Sequence, residues 1–199
     1  MDDSALTIPL FPLGTVLYPG GVLPLRIFEP RYVAMVRDCL ARESAFGVCL
    51  IRAGFEAGTP AIPHGTGCTA RIVRCEETGP DRFSLVARGE SVFRIDRHWA
   101  RDDDLLMGVV TLADPPDPTP LPERFRGLRE LLERAIAEHG AERFPSPTRL
   151  DDAAWVAFRV AELLPVPPER RQRFLTCDDP IARLADVAET LAELRSGGS

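Results

Sequence analysis

The residues best suited to covalent or metal chemistry are five cysteines and three histidines. They are Cys39, Cys49, Cys68, Cys75, Cys177, His64, His98 and His139. The cysteines are odd in number and lack a C-x-x-C pair, unlike a disulfide framework or a zinc site. The histidines are far apart and form no H-E-x-x-H motif. Because isolated cysteines are usually small core residues, we predict buried free thiols. Because the motifs named above are missing, we predict no metal site, no cofactor and no catalytic residue. A small hydrolase with a Cys-His pair assembled by the fold stays an alternative.

Arginine is the only strongly basic residue type, because the 24 lysine-plus-arginine positions contain no lysine. The residues of this sequence therefore cannot support a mechanism that requires a lysine. Such mechanisms include the Walker A phosphate loop, Schiff-base catalysis and the Ser-Lys proteolytic dyad. The sequence also has no G-x-S-x-G nucleophile elbow. We expect a binding protein and not an enzyme.

The acidic residues predict neither a calcium loop nor a nucleic-acid site. The clusters at 102–104 and 151–152 lack the glycine and terminal glutamate of an EF-hand loop, so we interpret them as solvated carboxylates. The net charge is −6, and the arginines are interspersed with acids except at Arg170, Arg171 and Arg173. Binding to a phosphate backbone requires a local excess of positive charge, so the charge argues against RNA, which we keep as the alternative ligand.

Residues 8–32 contain five prolines and three glycines within an otherwise apolar series. Each proline fixes φ and removes a backbone donor, which predicts strands that are short, interrupted or at sheet edges. The sequence from Tyr18 to Gly21 predicts a sharp turn before an apolar strand. An incompletely paired edge beside aromatic and arginine side chains can accept a peptide strand. The predicted binding residues are Tyr18, Pro19, Arg26, Phe28, Glu29, Arg31 and Tyr32.

The elements that position these residues follow from hydrophobic periodicity. We predict a helix at 30–42, a loop at 54–67 and strands at 46–51, 83–96 and 105–112. A proline-rich stretch at 114–120 ends the strand-rich part. Helical patterns follow at 121–139, 151–164 and 167–175, and again after Asp179-Pro180, an N-cap followed by a first-turn proline.

Three motifs occur in order near the N-terminus: P-L-F-P-L at 9–13, V-L-x-P-G at 16–20 and L-x-I-F-E-P-R-Y at 25–32. The arrangement resembles the opening of the LON N-terminal (substrate-binding) domain family. Residues 65–73 are similar to the family's G-x-x-A-x-I strand. Residues 89–95 resemble its G-x-x-R-F-x-I strand, with Val92 where arginine is usual. The helical end also resembles the family, so the match spans nearly the whole chain.

The resemblance implies an α+β fold: a PUA-like β-barrel or sheet domain with one inserted helix, followed by a C-terminal helical bundle. We expect the first part to span 1–118 and the helical part to span 119–199 and to pack on it. The implied function is non-enzymatic polypeptide binding, as in the recognition domain of LON protease without its ATPase and protease domains. RNA binding, found in some other PUA-like modules, is the alternative.

The expected partner is therefore an unfolded or extended polypeptide, with a protease or a second copy of the chain as further candidates. The N-terminus lacks the basic and apolar regions of a signal peptide, and no apolar run approaches 18 residues. We accordingly expect a cytoplasmic protein without membrane contact.

Overall fold

The computed structural model describes residues 5–56, 61–141 and 144–197. The chain divides into two compact units, Met1–Asp114 and Pro115–Ser199. Within the described residues, the first unit contains six strands and one helix, and the second contains four α-helices.

The first unit is built on one six-stranded sheet. Its strands are β1 (Ala5–Leu13), β2 (Val22–Ile27), β3 (Phe46–Ala53), β4 (Ile62–Gly79), β5 (Arg82–Ala100) and β6 (Leu106–Leu112). Their order is β2-β5-β4-β3-β1-β6, and β5 also pairs with β6. All pairs are antiparallel except that of β1 with β3. Because β5 is 19 residues long, its first part can pair with β2 while its last part pairs with β6.

β1 is longer than its prolines predict, with nine residues that include Pro9 and Pro12. Pro9 lies in the part of β1 that pairs only with β6, and Pro12 lies in the part that pairs only with β3. Leu10 alone pairs with both neighbours. Each proline therefore has a strand on one side only, where its missing N–H need not interrupt a ladder. The sequence predicts strands that are short, interrupted or at sheet edges. β1 is neither short nor interrupted, but each of its prolines lies in a part that pairs on one side only, as in an edge strand.

α1 (Pro30–Arg42) covers the core of this unit, at the predicted position. Its buried face includes Tyr32, Val33, Met35, Val36 and Cys39. These residues belong to one hydrophobic cluster with residues from β1 to β5. Pro30 occupies the first turn, where a missing N–H costs no intrahelical bond.

The second unit is helical, as predicted. Its helices are α2 (Arg126–His139), α3 (Ala153–Leu163), α4 (Pro168–Thr176) and α5 (Pro180–Ser196). α2 begins later than the predicted 121, because a 3-10 turn at Glu123–Phe125 precedes it. Asp152 and Asp179 cap α3 and α5 by accepting backbone N–H bonds. Across the described residues, no helix is long and apolar enough to cross a membrane.

The predicted fold class is confirmed: a six-stranded sheet with one helix is followed by a helical part. The predicted loop at 54–67 is partly wrong, because β4 already begins at Ile62; residues 57–60 of that loop lie outside the described residues. The boundary at 118 and the packing of the helical part on the β part stay predictions.

Candidate functional site

β2 lies at an edge, since among the described strands it pairs with β5 alone. Gly89 of β5 donates its N–H to the carbonyl of Gly21 at 2.9 Å, so Gly21 faces β5. Because inward and outward backbone groups alternate along an antiparallel strand, Val22, Pro24 and Arg26 present theirs away from β5. Proline has no N–H. The outer edge of β2 therefore offers three carbonyl acceptors but only the N–H donors of Val22 and Arg26.

A tight turn fixes where β2 begins. The carbonyl of Tyr18 accepts a hydrogen bond from the Gly21 N–H at 2.9 Å, and Gly20 has a φ of 77°. Proline followed by a glycine of positive φ is the sequence that a type II turn favours. A Cβ atom on Gly89 would lie 2.2 Å from the Tyr18 carbonyl oxygen. The turn is thus held against β5 by a backbone approach that requires glycine at position 89.

The side chains of β2 alternate between two environments. Leu23, Leu25 and Ile27 are half-buried or buried, whereas Val22, Pro24 and Arg26 are exposed. Phe28 follows directly and is 64% exposed. An aromatic ring therefore lies at the end of the outer edge of β2.

Arg31 organises the backbone next to this edge. Its side chain is only 6% exposed, and its Nη2 donates to Oε2 of Glu29 at 2.9 Å. The same nitrogen donates to the carbonyl of Glu56 at 3.5 Å, while Nη1 donates to the carbonyl of Asp104 at 3.3 Å. Its guanidinium also lies 4.7 Å from the Tyr32 ring centroid. One buried cation thus connects the start of α1 with two loops.

A second exposed phenylalanine belongs to the same neighbourhood. Phe55 is 81% exposed and immediately precedes Glu56, just as Phe28 precedes Glu29. Both glutamates supply an oxygen to Nη2 of Arg31. The sequence prediction did not include Phe55. Its position between Gly54 and Glu56 in a loop was the signal for its exposure.

The two tyrosines predicted as aromatic anchors lie in the core. Tyr18 is 1% exposed and Tyr32 is 6% exposed. The Tyr32 ring centroid lies 4.1 Å from that of Phe11. Burial raises the pKa of the Tyr32 hydroxyl, although the charge of Arg31 acts in the opposite direction. Both rings are therefore part of the hydrophobic core, and neither offers a face to a ligand at the surface.

The predicted binding residues thus divide by exposure. The structure exposes Arg26 and Phe28, leaves Pro19 and Glu29 half-buried, and buries Tyr18, Arg31 and Tyr32. The contiguous exposed part is the outer edge of β2 with Phe28 at its end.

The residues capable of covalent or metal chemistry do not converge. No disulfide joins the five cysteines, all of which lie in described parts of the chain. Cys39, Cys49 and Cys68 are buried, as predicted, whereas Cys75 and Cys177 are half-buried. The described residues contain no group of three histidine, cysteine, aspartate or glutamate side chains that could hold a metal ion.

Comparison with known proteins identifies the family of this chain. The model of the ATP-dependent protease La (LON) substrate-binding domain matches residues 7–193. The chain is 28% identical over 201 residues to Lon protease 2 of Myxococcus xanthus, in an alignment that includes 98% of this chain and 24% of that protein. The chain therefore spans about a quarter of the length of that relative.

Solved structures extend the likeness to three dimensions. A crystal structure of a Lon N-terminal domain protein from Xanthomonas campestris has a TM-score of 0.78 and 36% identity, covering 92% of this chain and 98% of that one. The N-terminal domain of Lon protease from Mycobacterium avium complex has a TM-score of 0.67 over 94% of this chain and 99% of its own. Its identity is 18%, so it supports the fold alone.

Proposed function

The chain belongs to the family of LON substrate-binding domains, and from this premise we propose that it is a non-enzymatic protein that binds extended polypeptide. The ligand adds as a further strand along the outer edge of β2. Strand addition of this kind uses backbone hydrogen bonds for affinity and neighbouring side chains for selectivity.

The observation that carries this proposal is the outward backbone of β2 beside an exposed aromatic ring. Val22 and Arg26 can each donate an N–H, and Pro24 adds a further carbonyl acceptor. Phe28, at the end of the strand, supplies apolar area for a ligand side chain. Exposed aromatic side chains at an interface commonly contribute a large share of the binding energy.

The remaining predicted residues position this edge in our proposal and do not touch the ligand. The turn at Tyr18 and Pro19 fixes the first residue of β2. Arg31 holds Glu29, and with it the chain that follows Phe28. Tyr32 packs beneath them in the core.

The wider role is also a proposal, because the chain spans about a quarter of its Lon relative. We propose that it recognises polypeptide in the manner of a LON recognition domain, with a separate protease or a second copy of the chain as a further partner. A cytoplasmic location and a PUA-like relationship stay predictions from the sequence.

Backbone addition is tested by comparing Arg26→Pro with Arg26→Ala. Both variants remove the charge, but only the proline removes the outward N–H. An edge strand tolerates proline where the N–H faces solvent, so Arg26→Pro should keep the circular dichroism of the parent. The probe is a fluorescein-labelled peptide of alternating valine and glutamine, followed by anisotropy. We expect Arg26→Pro to bind about fivefold more weakly than Arg26→Ala, in line with the loss of one hydrogen bond.

Phe28→Ala provides a second and independent measurement. We expect it to weaken peptide binding by about 1 to 2 kcal/mol. Trp99→Ala is the matched control, because Trp99 is another exposed aromatic residue of the sheet, 41% exposed. Equal peptide affinity in the parent, Arg26→Pro and Phe28→Ala, with all three folded, would contradict strand addition at β2.

A further inference from the structure

Strand register places a set of arginines on one face of β2, β5 and β4. In the pairing, Val22 lies opposite Arg88, which lies opposite Arg71. Residues directly opposite in neighbouring strands share a face of the sheet. We call this surface the arginine face; it comprises Val22, Pro24, Arg26, Ser84, Val86, Arg88, Arg71, Arg74 and Glu76.

The arginine face is the solvent side of these strands. The alternate residues of the same strands, such as Leu25, Leu85 and Cys75, belong to or pack against the hydrophobic core. On the other side, Arg26, Arg74 and Arg88 are all exposed. The ligand that adds to β2 would therefore alternate its side chains between the rim of the core and the arginine face.

The charge of this face is opposite to that of the whole chain. Among the described residues, Arg26, Arg74 and Arg88 form no ion pair. Arg71 pairs with Glu90, with its Nε 2.6 Å from the glutamate Oε1. Four arginines thus lie near two glutamates, Glu76 and Glu90, in a chain whose net charge is −6.

The position of the arginines relative to the edge determines which of them a ligand can reach. A strand added to β2 lies about 4.8 Å from β2, about 10 Å from β5 and about 14 Å from β4. A carboxylate on the ligand can contact Arg26 directly, and it can reach Arg88 across the small side chain of Val22. Arg74 acts only through its field, which salt screens beyond about 8 Å.

We infer that the preferred ligands are extended polypeptides that carry carboxylates at alternate positions, so that these side chains meet the arginine face. The inference rests on the proposed strand addition and specifies its substrate class. Opposite charges in cross-strand positions stabilise a sheet. A complementary charge also speeds the encounter of ligand and site.

The other side chains of the arginine face favour a polypeptide over single-stranded nucleic acid. Sites for single strands combine positive charge with several aromatic rings on which bases stack. The arginine face contains no aromatic residue, and the two exposed rings of this neighbourhood, Phe28 and Phe55, lie outside it. Val22, Pro24 and Val86 instead suit the aliphatic side chains of a peptide.

The test compares peptides in which valine alternates with glutamate, glutamine or lysine, each labelled with fluorescein and used at low concentration. At about 50 mM salt we expect the glutamate peptide to bind about fivefold more tightly than the glutamine peptide, and the lysine peptide most weakly. At about 500 mM salt the difference between glutamate and glutamine should fall below about twofold.

Single substitutions then locate the effect. Arg88→Gln should weaken binding of the glutamate peptide more than Arg74→Gln does, and both should leave the glutamine peptide unchanged. Arg134→Gln is the matched control, because it removes one exposed arginine charge from the second unit. Among the described strands, β3 pairs with β4 only as far as Ala70, so the second half of β4 has one unpaired side. The reverse order of Arg74 and Arg88 would place the ligand there and contradict the inference.

Three further outcomes distinguish this inference from the proposed function and from nucleic-acid binding. Binding of the glutamine peptide that is sensitive to Arg26→Pro, without any preference for glutamate, would leave strand addition standing and overturn the inference. Failure of every peptide to bind would overturn both. Tighter binding of an oligouridylate than of the glutamate peptide, with the same arginine dependence, would assign the face to nucleic acid.

Discussion

Gly89 is the residue on which the placement of the β2 edge depends. Its missing side chain lets β5 approach the carbonyl of Tyr18, and a Cβ there would lie 2.2 Å from that oxygen. We predict that Gly89→Ala costs about 2 kcal/mol or more, because the backbone of the turn must shift. Gly65→Ala is the matched control, since nothing lies within 4 Å of a Cβ at Gly65. Urea unfolding measures both; equal stability of the two variants would contradict the prediction.

Cys49 lowers the free energy of unfolding at alkaline pH. Burial raises the pKa of its thiol above the ordinary value of 9.0, so the folded chain keeps a proton that the unfolded chain loses. Stability from this group is therefore complete below pH 9 and falls as the pH rises above it. We predict a loss of about 1.4 kcal/mol from this thiol between about pH 8 and about pH 10.

Unfolding of Cys49→Ala at both pH values checks this prediction. Cys49→Ala should be less stable than the parent at both pH values, because it creates a cavity. Between the lower and the higher pH, however, its free energy of unfolding should fall by less than that of the parent, because the variant has no thiol to ionise at this position. Val48→Ala, which truncates the adjacent buried residue, should keep the slope of the parent. A slope unchanged in Cys49→Ala would contradict the assigned cause.

At the scale of elements, the N-terminus of α3 depends on one side chain. Oδ1 of Asp152 accepts a hydrogen bond from the N–H of Trp155 at 2.8 Å. We predict that Asp152→Ala costs about 1 kcal/mol, as is typical for loss of an N-cap. Asp151→Ala removes the same charge one residue earlier, from an exposed ion pair with Arg129, and should cost less than about 0.5 kcal/mol. Reversal of that order in urea unfolding would show that the cap does not stabilise α3.

Elements with local signals could be predicted from the sequence. The turn at Tyr18 and the N-cap at Asp179 depend on residues within a few positions of each other, and both are confirmed. β1 could not be predicted at its full length, because what permits Pro9 and Pro12 is a change of neighbour at Leu10. That change depends on strands far away in the sequence.

The same distinction explains the site. Exposure of Arg26 follows from the alternation of β2 itself. Burial of Tyr32 depends on Phe11 from β1, so its aromatic character alone could not decide between anchor and core. The arginine face was not predictable either, because it requires the register of three strands.

At the scale of the whole molecule, composition limits the chemistry available to these 199 residues. A chain without lysine has no Walker A lysine and no Ser-Lys dyad. We predict that the purified protein neither hydrolyses ATP nor cleaves unfolded casein, with or without magnesium. Phosphate release and gel analysis of casein measure the two activities. Turnover that persists through repurification would contradict the proposed non-enzymatic role.

Pro24 in the middle of β2 has a consequence for storage and fibril formation. If two copies met edge to edge around this residue, two prolines would face each other and neither could donate. The ladder would lose its central pair of bonds, whereas a foreign peptide can supply an N–H to the same carbonyl. The outer edge of β2 can thus pair with a peptide, whereas its pairing with the β2 edge of a second copy is disfavoured. Concentrated solutions should accordingly stay free of thioflavin-positive fibrils, and Pro24→Val should form them sooner.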